Sequence, residues 1–192
     1  MSDAKLSFEA KTTALVIVDL QNFTLAMNTV PIPTSDVLAN NIRLAQACRK
    51  AGIQVVLIRV GHEDAKVPHP SPLTDASFSG FQFGPGAKEI PPELGPEEGD
   101  IIVDKYNWGA FHGTNLDVHL RRRGIQTLIV TGLVTNIGVD TTMRHAQERG
   151  YDQVMVSDAV AAMTQEEHDY TLKFVAPKLA RVRTTDEVLA AL

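Results

Sequence analysis

Two charged residues end predicted strands, and they are the first candidates for chemistry. Asp19 closes the apolar run at residues 14–18, and Lys105 is the last residue of the strand predicted at residues 100–105. The carboxyl ends of neighbouring parallel strands meet at one end of a sheet, which is where open α/β folds bind ligands. A carboxylate beside an ammonium can exchange protons with a substrate, and it can equally be a structural ion pair. Residue types and spacing leave both interpretations open.

A third feature is the stretch Thr-Gly-Leu-Val-Thr-Asn-Ile-Gly-Val at residues 131–139. It follows an apolar run and leads into small and apolar residues at helical spacing, so it predicts a sharp strand-to-helix turn. Such a turn directs unpaired backbone N–H groups and the positive end of a helix dipole toward one point. Gly138 occupies the best position for a nucleophile, but it has no side chain. The hydroxyls of Thr135 and Thr141 are expected to serve as turn and cap groups.

These residues need a scaffold, which the apolar patterns predict to be an alternation of strands and helices. Strands are predicted at residues 14–19, 53–60, 100–105, 125–131, 153–157 and 180–182. Helices are predicted up to residue 50 and at residues 114–123, 139–149, 165–175 and 185–192. This alternation predicts a parallel sheet covered on both faces, in a single domain spanning residues 1–192. The proline-rich stretch between residues 61 and 99 is interpreted as a lid or a subunit-contact segment.

The composition excludes several kinds of function. A formal net charge of −5 and a single short basic run, at residues 121–123, argue against a nucleic-acid partner. No apolar run reaches the roughly 20 residues of a membrane span, so no membrane partner is expected. The one cysteine, Cys48, lies in a helical apolar pattern that indicates a buried side chain, and a cytoplasmic location is the simplest prediction. No phosphate-binding glycine motif follows the first strand, so no nucleotide cofactor is predicted.

Three motifs occur in order along the chain: ALVIVDLQNF at residues 14–23, the segment from Lys105 to AFHGT at residues 110–114, and TGLVTNIGV at residues 131–139. With these motifs the chain resembles the isochorismatase-like hydrolase superfamily over nearly its whole length. The resemblance implies a three-layer α/β/α fold with a six-stranded parallel sheet in the order 3-2-1-4-5-6. It also implies a site of Asp19, Lys105 and position 138, a cis peptide between Leu133 and Val134, and assembly into a homo-oligomer, a dimer or tetramer.

The resemblance implies two kinds of chemistry. In the amidase-like branch a cysteine at position 138 attacks the substrate, and Gly138 leaves that mechanism without its nucleophile. In the isochorismatase branch the counterpart of Asp19 protonates a vinyl ether and water completes the hydrolysis, which Gly138 allows. The expectation is therefore a hydrolase of a small organic molecule that uses Asp19 and Lys105 without a covalent intermediate. A ligand-binding protein that has lost catalysis and an amidase with another nucleophile are the alternatives.

Further residues near these motifs are expected to contact the substrate: Phe23, Trp108, Leu133, Val134 and Thr135. Aromatic rings near the site would suit a flat ligand, although core or interface packing explains any single ring equally well. His62 and His69 are possible metal ligands, but Val60 stands where the resemblance to nicotinamidases implies a carboxylate. No metal and no cofactor are therefore expected.

Overall fold

The computed structural model describes residues 6–61, 73–75 and 84–192, and its centre is a six-stranded sheet. The strands are β1 (Thr13–Val18), β2 (Gln54–Val60), β3 (Ile101–Lys105), β4 (Thr127–Leu133), β5 (Asp152–Ala161) and β6 (Arg181–Arg183). They follow the order β3-β2-β1-β4-β5-β6, and every neighbouring pair is parallel. The predicted strand order is confirmed.

The helices lie on both faces of this sheet. They are α1 (Asn22–Leu25), α2 (Thr34–Lys50), α3 (Leu116–Arg122), α4 (Asp140–Glu148), α5 (Gln165–Tyr170), α6 (Ala176–Leu179) and α7 (Thr185–Leu189). A 3-10 turn at Ala10–Thr12 precedes β1, and π-helical turns at Thr135–Val139 and Thr171–Val175 adjoin α4 and α5. Within the described ranges, no helix is long and apolar enough to cross a membrane.

Alternate side chains of β1 divide the core into two clusters. Val16 and Val18 pack in a cluster that includes residues of α3 and α4, whereas Leu15 and Ile17 pack with residues of α2 and α7. Every residue of β1 is buried, as expected for a central parallel strand with helices on both faces. Cys48 lies in the second cluster, where burial raises the pKa of its thiol to about 12. The interpretation of Cys48 as a core residue is confirmed.

The fifth strand is longer than the sequence predicts. It continues to Ala161, whereas the pattern predicted an end at residue 157, before the polar residue Asp158. The register between β4 and β5 is irregular in this part, and one carboxylate oxygen of Asp158 accepts hydrogen bonds from the N–H and the hydroxyl of Thr185, at 2.7 and 2.8 Å. A polar residue that is paired within an irregular strand looks like a strand end in the sequence, which explains the error.

Candidate active site

Asp19 and Lys105 meet at the carboxyl end of the sheet. Asp19 follows β1 and Lys105 ends β3, with β2 between them. Two strand spacings separate the backbones by about 9 to 10 Å. The long lysine side chain crosses β2, and its Nζ lies 2.7 Å from Asp19 Oδ2. Both side chains are almost completely buried, with 2% of the lysine and 7% of the aspartate side chain exposed.

The backbone at Asp19 departs sharply from the strand conformation. Its φ is 53°, in the left-handed region that residues with a Cβ rarely adopt. The Thr24 hydroxyl donates a hydrogen bond to the Asp19 carbonyl oxygen and accepts one from the Gln21 N–H, so it braces the turn after β1. Backbone strain of this kind is concentrated at functional sites. Nothing in the sequence pattern marks this conformation.

The ammonium of Lys105 uses all three of its N–H donors. One is directed to Asp19, and the other two donate to the carbonyl oxygens of Asn107 (3.0 Å) and Trp108 (2.9 Å). An ammonium has three donors and no acceptor, so these contacts satisfy it completely. Lys105 is therefore held in place by the loop that follows its own strand, with its charge directed at Asp19.

Asp19 combines a raised pKa with an unused oxygen. Burial raises the pKa of its carboxyl from 3.8 to about 6, and the adjacent Lys105 ammonium opposes this rise. Oδ2 contacts Lys105, while Oδ1 is buried and has no hydrogen-bond partner among the described residues. A carboxyl group that titrates near neutral pH can both give and take a proton. Oδ1 is the oxygen of Asp19 that has no hydrogen bond in the described residues.

The strand-to-helix turn brings Gly138 against this carboxylate. The Leu133–Val134 peptide is cis, at the predicted position, and the π-helical turn Thr135–Val139 follows it. A Cβ on Gly138 would lie 3.1 Å from Asp19 Oδ2 and 3.1 Å from the Leu133 carbonyl oxygen. These distances are shorter than ordinary carbon–oxygen contacts, so a side chain would fit only with small shifts of its neighbours. Glycine here permits a close approach of the turn to Asp19.

The other predicted contact residues surround this turn and the loop after Lys105. Thr135 is fully buried, and its hydroxyl lies 3.1 Å from Nδ1 of His168. Leu133 is also fully buried and faces position 138 with its carbonyl oxygen, whereas Trp108 is 54% exposed. Phe23 and Val134 are half-buried. Their contact with a substrate stays a prediction.

The metal prediction concerns residues that are largely outside the described part. His62 and His69 both lie outside the described residues. Among the residues that the structure describes, no group of three or more His, Cys, Asp or Glu side chains is arranged to hold a metal ion.

Sequence reasoning missed three polar residues around the site. Gln21 is fully buried: its Oε1 accepts the Val60 N–H at 2.7 Å, and its Nε2 donates to the carbonyls of Val60 and Ala87. His168 is buried against the turn, and burial lowers the pKa of its ring. Thr142 contacts both the turn and the loop after Lys105. Each acts through a contact with a residue distant in the sequence, which no local pattern signals.

Together, the fold and this geometry define an α/β/α protein with a hydrolase-like site at the carboxyl end of its sheet. The model of the isochorismatase domain matches residues 13–187. The chain is 39% identical over 186 residues to the uncharacterized isochorismatase family protein YwoC of Bacillus subtilis, covering 96% of each protein. It is 32% identical over 177 residues to the isochorismatase of B. subtilis, covering 91% of this chain and 56% of that protein.

A solved structure agrees with these sequence matches. The structure of an isochorismatase family protein from Burkholderia thailandensis superposes with a TM-score of 0.92 at 38% identity, covering 98% of this chain and 99% of that one. This protein belongs to the isochorismatase family.

Proposed function

We propose that this protein hydrolyses a small organic molecule, with Asp19 as proton donor and acceptor and without a covalent enzyme intermediate. The observation that carries the proposal is the position of Asp19, which touches the Lys105 ammonium at 2.7 Å and adjoins a residue that has no nucleophilic side chain. A vinyl ether of the isochorismate type is the model substrate, because its hydrolysis requires only a proton and water. An isochorismatase is among the relatives of this chain.

Asp19 begins the reaction in its protonated form. With a pKa raised to about 6, a minor fraction of the carboxyl groups carries the proton at pH 7. Asp19 transfers this proton to the terminal alkene carbon, which forms a C–H bond and leaves a cation stabilised by the ether oxygen. Water adds to the cation, and Asp19 takes up the proton that the water loses. The resulting hemiketal breaks its C–O bond and releases an alcohol and a ketone.

Lys105 stabilises the carboxylate that exists between the two proton transfers. Its ammonium remains 2.7 Å from Oδ2, so the charge of the ionised carboxylate is balanced after the proton has left. Burial favours the neutral acid, and the ammonium favours the ion. These opposing effects keep the pKa of Asp19 close to the pH at which both proton transfers proceed. A pKa near the operating pH is the condition for efficient general acid–base catalysis.

Hydroxyl groups near the turn are engaged in the structure. The Thr142 hydroxyl donates to the Gly138 carbonyl oxygen, and the fully buried Thr135 hydroxyl contacts His168. Cys48 lies in the core. The commitment of the Thr142 hydroxyl and the burial of Cys48 favour acid–base chemistry over attack by either of these two groups.

Hydrolysis of isochorismate in D₂O tests the proposal directly. Protonation of carbon by Asp19 places one deuterium in the methyl group of the ketone product, which mass spectrometry detects after rapid quenching. We expect Asp19→Asn to lose at least 100-fold in turnover, because general acid–base catalysis contributes about 10² to 10⁴ in rate. Asp104→Asn is the matched control, since Asp104 pairs with Arg59 at 2.8 Å instead of Lys105. It should retain its activity.

Three outcomes would overturn the proposal: equal turnover by wild type and Asp19→Asn, a covalent adduct in intact-mass spectra during turnover, or a stabilising ligand recovered unchanged. The second outcome would indicate an amidase-like hydrolase with another nucleophile. The third would indicate a ligand-binding protein. The proposal also includes a cytoplasmic homo-oligomer, a dimer or tetramer, and light scattering after size-exclusion chromatography measures the number of subunits.

A further inference from the structure

Thr142 forms a hydrogen-bonded link between two parts of the site. It lies in the first turn of α4 and has no exposed surface. Its hydroxyl donates to the Gly138 carbonyl oxygen at 2.7 Å and accepts the Ala110 N–H at 3.0 Å. A hydroxyl has one hydrogen to donate, so this one is committed to Gly138 while its oxygen holds the loop.

The loop that Thr142 holds is the one that positions the Lys105 ammonium. Two of its carbonyl oxygens, those of Asn107 and Trp108, accept hydrogen bonds from Lys105 Nζ. Ala110 follows two residues after Trp108, and its own carbonyl accepts the Thr114 hydroxyl at 2.6 Å. The loop is therefore fixed on both sides of the Ala110 peptide.

Close packing at Gly109 shows that the loop has no room to move toward α4. A Cβ at this position would lie 2.6 Å from Nδ1 of His145 and 2.9 Å from the Thr141 methyl carbon. The glycine is buried, so its backbone rests directly on these two side chains. Packing limits movement toward the helix, and the Thr142 hydrogen bond limits movement away from it.

We propose that Thr142 is a positioning residue that sets the separation of Asp19 and Lys105. Polar contacts join Asp19 to the Lys105 ammonium, the ammonium to the loop carbonyls, Ala110 to Thr142, and Thr142 to Gly138. The ring is completed by proximity and not by a hydrogen bond: a Cβ on Gly138 would lie only 3.1 Å from Asp19 Oδ2. One hydroxyl closes the ring between the loop and the turn. The inference rests on the proposed function, in which Asp19 transfers protons beside the Lys105 ammonium.

Breaking this link should weaken the effect of Lys105 on Asp19. An adjacent cation lowers the pKa of a carboxyl by roughly 1 to 3 units. Coulomb interaction falls with distance, so lengthening the 2.7 Å contact to about 4 Å removes about a third of it. We therefore expect Thr142→Val, which keeps the shape and loses the hydroxyl, to raise the titration midpoint of Asp19 by about 0.3 to 1 pH unit.

The test measures this midpoint by ¹³C NMR of protein labelled at aspartate carboxyls, with the Asp19 signal assigned by its loss in Asp19→Asn. Thr142→Ser retains the hydroxyl and should restore the wild-type midpoint. Thr171→Val is the matched control, because Thr171 is also a buried helical threonine whose hydroxyl donates to a carbonyl four residues earlier, that of Glu167 at 2.9 Å. It should lose stability without moving the Asp19 midpoint.

The pH dependence of kcat gives the second readout. The apparent pKa assigned to Asp19 in this profile should shift in Thr142→Val by the same amount as the NMR midpoint. An unchanged midpoint in folded Thr142→Val, or equal shifts in Thr142→Val and Thr142→Ser, would overturn the inference. If Thr142→Val does not fold, Thr142→Cys provides the same test, with a weaker and longer hydrogen bond and a smaller shift. The NMR titration needs no substrate. A shifted midpoint in a protein without turnover therefore overturns the proposed function alone.

Discussion

Replacing Lys105 with methionine should raise the pKa of Asp19 and make the stability of the protein more dependent on pH. The substitution keeps a long, unbranched side chain and removes the ammonium 2.7 Å from Asp19 Oδ2. Burial then acts on the carboxyl without opposition, and burial is the largest cause of its raised pKa. An adjacent cation lowers a carboxyl pKa by roughly 1 to 3 units, so a value of about 6 becomes about 7 to 9 in the variant.

The direction of the stability change follows from the raised pKa. An aspartate in the unfolded chain has a pKa of about 3.9, so in the folded protein Asp19 holds its proton to higher pH. Its contribution to stability is fully present below about pH 4 and is lost as the pH rises through the folded-state pKa. In Lys105→Met this loss continues to about pH 7 to 9. At 1.36 kcal/mol per pKa unit, the destabilisation of Lys105→Met relative to wild type grows by about 1.4 to 4 kcal/mol between pH 5 and pH 9.

Urea unfolding followed by circular dichroism at pH 5, 7 and 9 measures this growth as the difference between variant and wild type. The loss of two hydrogen bonds to loop carbonyls contributes equally at each pH, so it cancels from the pH dependence. Lys88→Met is the matched control, because Lys88 pairs with Asp104 at 3.3 Å and leaves the Asp19 pair intact. Its difference from wild type should change little with pH. A constant difference for Lys105→Met across the range would refute the reasoning.

Three further predictions concern the turn, the end of β4 that leads into it, and the histidine that packs against it. Gly138→Cys should fold, with a free energy of unfolding lower by about 1 to 3 kcal/mol because the packing at this position is tight. A gain of activity on simple amides, measured by ammonia release, would show that the site accepts a thiol nucleophile. A folded variant without this gain would argue against it. Gly132→Ala should fail to fold or lose more than about 3 kcal/mol in urea unfolding, because its φ is 108° and the added Cβ would overlap the Val18 carbonyl. Gly124→Ala, with a φ of 68° and open space around it, should lose only about 1 kcal/mol, and equal losses would contradict the packing argument. Burial lowers the pKa of His168, so the contribution of its neutral ring to stability should be lost as the pH falls below about 6.5. The difference in free energy of unfolding between wild type and His168→Gln should therefore shrink from pH 7 to pH 5. A constant difference would refute this.

The sequence by itself determined the alternation of strands and helices and the residues at the strand ends. Apolar runs and helical spacing are local patterns, so they identify β1 to β6 without knowledge of the packing. The carboxyl ends of parallel strands must lie on one side of a sheet, which is why Asp19, Lys105 and the turn before α4 could be grouped in advance. The motifs around these residues identified the family and, through it, the strand order.

Only the tertiary structure decided how these residues interact. The pKa of Asp19 depends on burial by distant segments, and the Lys105 ammonium depends on carbonyl groups that every residue possesses. The Thr142–Ala110 and Thr135–His168 contacts join residues 32 and 33 positions apart. A hydrogen bond between distant residues produces no periodicity, and a backbone group has no residue type by which it can be recognised. Local patterns therefore predict where the chain turns, whereas the distances and charges that control proton transfer arise from long-range packing.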